Sequence, residues 1–385
     1  MPITFKTSLK RIIEIMLNQD PNVYKLLTPG PLTTTLSVRQ AMLVDRCTWD
    51  NDYKAMTQDI RARLLQLAHV GDDYTTVLMQ GSGTFGVESV LSSLPSANEH
   101  VLVLVNGAYS KRMCDILARH QIAYSKIDFK WDEIPDANVV ESYLAEHPEV
   151  TMVSMVHNET TTGLLNDIAA VARVVKAANR TMIVDAMSSF GAVDIDVARL
   201  QIDVIVSSAN KCIQGVPGFS FIIVKKDVLI ASKGHARTLS LDLYDQWETL
   251  EKDGGKWRFT SPTHVVAAFH QALLELDQEG GIAARGARYA ELNRRLREGM
   301  EHLGFTAYIT PEHQGPIITT FFYPSDDFSF SDMYEALKKE GFVIYPGKLT
   351  ERPSFRLGNI GELYADDVEK ILQLFTRYMA ARQAR

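Results

Sequence analysis

The chain has 385 residues, of which 46% are hydrophobic and 23% charged, and its formal net charge is −7. This length exceeds what one hydrophobic core usually holds, so we expect two domains. The negative charge, without any basic stripe, argues against a nucleic-acid partner, and no apolar run is long enough to cross a membrane. Cys47, Cys114 and Cys212 are widely spaced, form no zinc motif and favour a reducing, cytoplasmic location.

The N-terminal stretch from Phe5 to Leu17 carries apolar residues at helical spacing, together with several basic residues. A targeting peptide would explain the basic residues, but Glu14 and Asp20 interrupt that character and no continuous apolar segment follows. We therefore expect residues 1–27 to form a helical extension that packs on the body of the protein or on a partner subunit.

Short apolar runs alternate with helical periodicity from about residue 75 to residue 225. The predicted strands are Thr76–Met79, Val101–Val105, Ala123–Ile127, Thr151–Val156, Met182–Asp185, Val204–Val206 and Ser220–Val224. The predicted helices between them include Val87–Leu94, Tyr109–His120, Val139–His147 and Ile168–Ala178. This alternation predicts an α/β fold with a mostly parallel sheet, and the nearly continuous apolar strands indicate that helices cover both of its faces.

The pattern changes after Pro262. Two long predicted helices come first, and the pair Gly280-Gly281 separates them. The later predicted elements are strands at Ile317–Phe322 and Phe342–Ile344 and helices at Asp332–Glu340 and Ala365–Ala381. We place the large domain at residues 28–279 and a smaller α+β C-terminal domain at residues 280–385.

Lys211 ends the small polar segment Ser207-Ser208-Ala209-Asn210-Lys211, which directly follows the strand-like run Val204–Val206. Asp185 ends the earlier strand-like run Thr181–Val184. Strand ends are where an open α/β sheet presents its chemistry. A lysine whose pKa is lowered by burial can form a Schiff base with a carbonyl group, whereas a buried aspartate needs a cationic partner. A lysine holding an aldehyde and an aspartate facing a pyridinium nitrogen are what pyridoxal 5′-phosphate (PLP) requires.

A loop of glycines and hydroxyls, Gly81-Ser82-Gly83-Thr84-Phe85-Gly86, follows a strand and opens a helix. Free backbone N–H groups and the positive end of the helix dipole make such a loop an anion site. The same letters fit a dinucleotide-binding fingerprint, which needs an acidic residue near the end of the next strand. That strand, Val101–Val105, ends in Asn106-Gly107-Ala108, so a single phosphate held by Ser82, Gly83 and Thr84 fits better.

Three further positions suggest contacts to a planar, anionic ligand. Tyr109 follows a strand, where its ring either stacks on a flat cofactor or belongs to the core. The polar run His157–Gly163 offers a hydroxyl for the cofactor's phenolic oxygen, or else it caps the helix beginning near Asp167. Arg356 lies in a strand-like segment and either clamps an anionic substrate or forms a structural salt bridge.

Two other classes of site have little support. The histidines His100, His120, His147 and His157 lack the HExxH spacing of metalloenzymes, so we expect no metal. Gly81-Ser82-Gly83 does not match the GxSxG nucleophile elbow of serine hydrolases.

These residues together resemble the class V aminotransferases, a family of fold-type I PLP-dependent transferases. The matching stretches are Leu27–Pro31, Met79–Gly86, Asp185–Gly191, Lys256–His264, Gly341–Lys348, Arg356–Gly361 and, most specifically, Ser207–Phe219. The resemblance covers the chain from about residue 25 to the C-terminus. It implies PLP as the cofactor and a homodimer with active sites at the subunit interface.

The resemblance also implies further site residues. Thr160 is expected near the phenolic oxygen, Met187 beneath the ring, and Asn210 near the phosphate. Thr260 is expected to reach the cofactor phosphate of the neighbouring subunit. Ser110 and Asn158 depart from the pattern that we expect, and both bear on substrate detail rather than on the class of reaction.

Within this family the chain resembles the group of 2-aminoethylphosphonate–pyruvate transaminases. This similarity implies transfer of an amino group from 2-aminoethylphosphonate to pyruvate, which gives phosphonoacetaldehyde and L-alanine in phosphonate degradation. Lys211 would serve as general base and Arg356 would bind the anionic end of both substrates. The alternatives are another class V activity, such as alanine–glyoxylate or serine–pyruvate exchange, and a nicotinamide-dependent oxidoreductase built on the Gly81 loop.

Overall fold

The computed structural model describes residues 24–349 and 351–383. Its strands, numbered in chain order, are β1 (Lys25–Leu27), β2 (Tyr74–Gln80), β3 (His100–Val105), β4 (Ala123–Asp128), β5 (Val150–Val156), β6 (Asn158–Glu159), β7 (Leu164–Leu165), β8 (Thr181–Asp185), β9 (Val204–Ser208), β10 (Phe219–Lys225), β11 (Ile318–Phe322), β12 (Phe342–Pro346) and β13 (Ser354–Gly358).

The helices alternate with these strands in the first two thirds of the chain and cluster around β11 to β13 in the last third. They are Leu36–Gln40, Asn51–Leu67, Gly83–Ser93, Ala108–Arg119, Ala137–Glu146, Ile168–Ala177, Val197–Leu200, Lys226–Ala231, Leu243–Lys252, Thr263–Glu279, Gly281–His302, Phe330–Lys339 and Ala365–Gln383. None of the described helices is long and apolar enough to cross a membrane.

The larger sheet has seven strands in the order β2-β10-β9-β8-β5-β3-β4. Neighbouring strands are parallel except that β10 runs antiparallel to both β2 and β9. Residues such as Val204, Ile205 and Ile222 are fully buried, because helices cover both faces of the sheet. The prediction of a mostly parallel α/β sheet is confirmed.

The smaller sheet has four strands in the order β1-β12-β13-β11. Its core gathers phenylalanine rings around Phe355 of β13, including Phe305 and Phe321 at centroid distances of 5.5 and 5.8 Å. Such edge-to-face and offset pairs add to the free energy that apolar burial supplies. The division of the chain at residues 279 and 280 stays a prediction, and it falls between the helices Thr263–Glu279 and Gly281–His302.

The strand β1 corrects one expectation. Lys25 to Leu27 pair in parallel with Phe342 to Ile344 of β12, so the last residues of the predicted helical extension form a strand of the smaller sheet. The three-residue run carried no strand signal of its own, because its pairing partner lies more than 300 positions away. Residues 1–23, where the rest of that expectation falls, lie outside the described part of the chain.

The topology collects functional side chains at one edge. Strands β2, β3, β5, β8 and β9 all run in the same direction, so the segments after their carboxyl ends meet there. In an open α/β sheet this edge is where ligands bind.

Candidate active site

A pocket of about 770 Å³, partly open to solvent, lies at this edge of the larger sheet. A concave site with a few converging polar groups is where small molecules and cofactors usually bind. The side chains and backbone that line it come from five strand ends: Ser82, Gly83, Thr84, Val87, Tyr109, Arg112, Val156, Asn158, Thr160, Asp185, Met187, Ser188, Ser208, Asn210 and Lys211.

The amine of Lys211 faces this pocket and, among the described residues, forms no ion pair with a carboxylate. Its Nζ donates a hydrogen bond to the carbonyl oxygen of Pro29 at 2.7 Å. Burial lowers the pKa of Lys211, although Tyr109, Cys212 and Asp185 partly oppose this shift. A lysine of this kind is a better nucleophile and base at neutral pH than an exposed one.

The loop after β1 closes directly on Lys211. A Cβ atom added to Gly30 would lie 2.7 Å from Lys211 Cδ and 2.9 Å from Nζ. Gly30 also has a φ of +113°, which an L side chain rarely adopts. Glycine is therefore required at this position by both the contact and the backbone.

Asp185 is 6% exposed and lies at the end of β8. Its Oδ1 accepts a hydrogen bond from Met187 N at 2.8 Å. Burial raises the pKa of Asp185 to about 7; Glu159 adds to the rise, while the Met187 N–H, Lys211 and Arg112 oppose it. A bound cationic ring N–H would supply the positively charged partner that favours the ionised form of this carboxyl group.

The helix Gly83–Ser93 points its N-terminus into the pocket. Ser82 is its N-cap residue and makes no side-chain capping bond, so its hydroxyl is available to a ligand. The Oγ1 of Thr84 accepts a hydrogen bond from Arg112 Nη1 at 2.9 Å. A Cβ atom on Gly83 would overlap Met187, so the close approach of these two walls depends on glycine.

Glu159 joins two walls of the pocket. It is fully buried and accepts hydrogen bonds from Tyr109 N at 3.2 Å and from Thr161 N and Oγ1 at 3.1 and 2.6 Å. Burial raises the pKa of Glu159, although these bonds oppose the shift. The start of the helix bearing Tyr109 is thereby tied to the turn bearing Thr160.

Arg356 lies on β13 of the smaller sheet and is 1% exposed. Its Nε donates to the carbonyl oxygen of Pro346 and its Nη1 to that of Thr160, both at 3.0 Å. Among the described residues it forms no ion pair with a carboxylate, so the structural salt bridge considered above is not found. It borders the pocket through Thr160 rather than lining it.

The side-chain amide of Asn158 is a buried polar group without a hydrogen-bond partner among the described residues. The residue is 3% exposed and lines the pocket, and neither Oδ1 nor Nδ2 has a hydrogen-bond partner within the described part of the chain. A buried polar group without a partner costs about 1–3 kcal/mol. A bound ligand would offset that cost.

Most of the predicted site residues meet in this pocket. The structure brings together Ser82, Gly83, Thr84, Tyr109, Thr160, Asp185, Met187, Asn210 and Lys211. Thr260 does not join them, because it is exposed in the segment that precedes the helix Thr263–Glu279. The roles assigned to these residues stay predictions.

The sequence interpretation missed Arg112 and the hydroxyls of Ser188 and Ser208. Arg112 lies three residues after Tyr109 on the helix Ala108–Arg119, so the two share a helix face. That spacing was a usable signal. The two serines carried none, because serine is common at strand ends. No group of three or more possible metal ligands occurs among the described residues.

Comparison with known proteins places this geometry in a family. The family model for class V aminotransferases matches residues 46–364. The chain belongs to the class V aminotransferases. It is 53% identical over 360 residues to the 2-aminoethylphosphonate–pyruvate transaminase of Lysinibacillus sphaericus, covering 93% of this chain and 98% of that relative. It is 51% identical over 359 residues to the protein of the same name from Bacillus cereus, covering 92% and 98%.

Solved structures of aminotransferases share the fold. The pyridoxamine–pyruvate aminotransferase of Mesorhizobium loti matches with a TM-score of 0.86 at 23% identity, covering 94% of this chain and 93% of that one. The alanine–glyoxylate aminotransferase of a Nostoc species matches with a TM-score of 0.84 at 23% identity, covering 93% and 96%. The predicted fold class is thereby confirmed.

Proposed function

We propose that this class V aminotransferase is a PLP-dependent enzyme that moves the amino group of 2-aminoethylphosphonate to pyruvate, giving phosphonoacetaldehyde and L-alanine. The observation that carries this proposal is a pocket that combines a buried amine, a buried carboxyl group and a free helix N-terminus. The relatives above 50% identity, which carry the name of this activity over nearly their full length, favour it over alanine–glyoxylate or serine–pyruvate exchange.

The residues present fit PLP. Ser82, whose hydroxyl makes no capping bond, offers donors to a phosphate at a helix N-terminus together with Gly83 and Thr84. Asn210 also lines this pocket. Asp185 offers a carboxylate to a ring N–H, and Tyr109 and Met187 offer flat or polarisable surfaces to the ring. When bound, PLP supplies an electron-accepting ring that takes up the electron pair left by deprotonation of the substrate carbon.

Lys211 would perform two tasks. Its Nζ would hold the cofactor covalently until the substrate amine replaces it. The released Nζ would then accept the proton from the amine-bearing carbon of 2-aminoethylphosphonate. Its lowered pKa keeps a larger fraction of the amine unprotonated, and the carbonyl of Pro29 can accept a hydrogen bond from the released Nζ.

Arg356 would orient both substrates. The donor ends in a phosphonate and the acceptor in a carboxylate, and a guanidinium binds either group with paired N–H donors. The carbonyls of Pro346 and Thr160 fix the plane of Arg356, so its remaining donors are oriented before a substrate enters. Thr160 would donate to the phenolic oxygen from the other side of the same turn.

We further propose a homodimer in the cytoplasm. Phe85 and Phe259 are 50% and 49% exposed and line a second, apolar depression beside the Gly81 loop. Burial of these rings against a second subunit would remove apolar surface from water. It would also bring the exposed Thr260, which follows Phe259, towards a neighbouring cofactor phosphate. Cys47, Cys114 and Cys212 are free thiols, which suits a reducing compartment.

A donor screen tests the proposed activity. The purified, PLP-loaded protein is incubated with pyruvate and 2-aminoethylphosphonate, β-alanine or serine, and L-alanine formation is measured. We expect 2-aminoethylphosphonate to be preferred by at least about tenfold in kcat/KM over β-alanine, which carries a carboxylate in place of the phosphonate.

A parallel reaction of alanine with glyoxylate tests the alternative activity. Faster turnover of that pair than of 2-aminoethylphosphonate with pyruvate would contradict the proposal. The yellow colour of the purified protein would separate either transaminase from a nicotinamide-dependent oxidoreductase.

A further inference from the structure

A phosphonate carries more negative charge than a carboxylate, and Arg356 alone does not explain how the enzyme would prefer a phosphonate donor over a carboxylate donor. The phosphonate of the donor carries up to two negative charges, whereas the carboxylate of pyruvate carries one. A single guanidinium balances only one of these charges. A second cation beside Arg356 would distinguish a phosphonate donor from a carboxylate donor.

Lys348 lies where such a cation is needed. It follows β12 in the loop that leads to Arg356 on β13. Its Nζ lies 5.0 Å from the centroid of the Tyr109 ring, and Tyr109 lines the pocket. Burial alone would raise the pKa of Tyr109, but the charges of Lys211, Lys348 and Arg356 lower it. Lys348 and Arg356 therefore both lie near the same wall of the site.

Two cations lie at equal distances from the Tyr109 ring, and their partners differ. Arg112 also lies 5.0 Å from the ring centroid, but its guanidinium is hydrogen-bonded to Thr84 at the helix that faces the phosphate end. Lys348 is exposed and, within the described part of the chain, forms no ion pair with a carboxylate. Arg112 therefore belongs to the cofactor end of the pocket, and the charge of Lys348 is available at the substrate end.

We propose that Lys348 is a specificity-determining residue that binds the second negative charge of a phosphonate donor beside Arg356. The inference rests on the proposed function and names the part of the site that selects phosphonate over carboxylate. An ammonium on a flexible stem suits this task, because it can reach a phosphonate oxygen while Arg356 holds the other two. Pyruvate, with one charge, is satisfied by Arg356 alone.

Lys348→Gln tests this inference, and Lys338→Gln is its matched control. Lys338 also lies over an aromatic ring of the smaller domain, at 5.8 Å from Tyr334, but away from the pocket. We expect Lys348→Gln to raise the KM for 2-aminoethylphosphonate about tenfold while the KM for pyruvate changes less than about twofold. Arg356→Ala should weaken both substrates, and Lys338→Gln neither.

Binding of unreactive analogues gives a second measurement that does not depend on turnover. Ethylphosphonate and propionate are titrated calorimetrically into the loaded wild type and into Lys348→Gln. We expect the dissociation constant of ethylphosphonate to rise about tenfold and that of propionate to stay within about twofold. Equal changes for both anions, or no change for either, would overturn the role of Lys348. A wild type that does not turn over 2-aminoethylphosphonate would instead overturn the proposed function.

Discussion

The two ends of the pocket are built in different ways. The end that faces the proposed cofactor is assembled from strand ends of one sheet, with Ser82, Asp185 and Lys211 all set by the parallel topology. The end that faces the proposed substrate is bordered by Arg356 of the smaller sheet and, across the Tyr109 ring, by Lys348 of the loop beside that sheet. The cofactor end can therefore stay the same while the substrate end changes with the packing of the smaller sheet.

The link between the two ends is made by backbone groups. Arg356 donates a hydrogen bond to the carbonyl of Thr160 in the turn after β6, and Lys211 donates one to the carbonyl of Pro29 in the segment after β1. Backbone carbonyls hold a side chain in place without adding charge of their own. The anionic substrate thus meets cations that are oriented but not neutralised.

The largest expected effect separates covalent chemistry from binding at the cofactor end. Lys211→Ala removes the amine but leaves Ser82, Thr84 and Asp185 in place. We expect activity to fall by at least about a thousandfold, because no other lysine of the described residues lines the pocket. The visible absorption band that depends on the covalent link should disappear, while PLP is still retained non-covalently and is released by dialysis against phosphate.

A charge-matched control is Lys233→Ala, at an exposed position of the larger domain that the pocket does not include. It should keep both the absorption band and the activity. An unchanged absorption spectrum in Lys211→Ala would refute the assignment of this lysine.

The sequence was informative where a side chain follows its own strand. Asp185 stands at the end of one apolar run and Lys211 a few residues after another, so local pattern and parallel topology together predict that they meet. Lys348 and β1 carried no such signal. The position of Lys348 over Tyr109 follows from packing of residues 239 positions apart, and β1 is a strand only because β12 lies beside it. Long-range contacts of this kind leave no periodicity in the sequence.

The helices Asn51–Leu67 and Leu243–Lys252 were also absent from the sequence interpretation. Both are mainly polar, and the first buries only a few side chains, Tyr53, Thr57, Ile60, Arg61 and Leu64. Because the buried face of this helix is narrow and includes polar residues, the apolar residues of the sequence do not show a clear helical spacing. Their recognition required the contact with the sheet, which the chain alone does not display.

A smaller expected effect tests the contact between the segment after β1 and Lys211. Gly30→Ala places a Cβ within 2.7 Å of Lys211 Cδ and must displace one of the two. Overpacking of this size costs about 1–3 kcal/mol of folding stability. Because displacement of a reacting group by about 1 Å can cost about a hundredfold in rate, we also expect kcat to fall about ten- to hundredfold.

Gly234→Ala is the matched control for backbone strain. Gly234 also has a positive φ, +80°, but no atom lies within 4 Å of an added Cβ. Gly30→Ala should lose more thermal stability than Gly234→Ala, because it adds a close contact to the backbone strain that the two variants share, and only Gly30→Ala should lose activity. Equal activity in the two variants would show that the contact with Lys211 has no part in catalysis.

The smallest expected effect concerns stability and depends on pH. Burial raises the pKa of Asp185 from an ordinary 3.8 to about 7 in the folded protein without cofactor. Between these two values the folded state holds a proton that the unfolded state has lost, so stability decreases as pH rises through this range and is lowest above about 7. Asp185→Asn keeps the shape and removes the titration. We therefore expect the cofactor-free variant to melt about 2–4 °C above the wild type at about pH 8, with the difference shrinking towards about pH 4.

With PLP bound the order should reverse, because the amide that replaces the carboxylate is neutral and does not balance a cationic ring. Calorimetry of both forms at about pH 4.5 and about pH 8 measures this reversal, and a cofactor-free variant no more stable than the wild type at the higher pH would contradict the buried charge at the cofactor end.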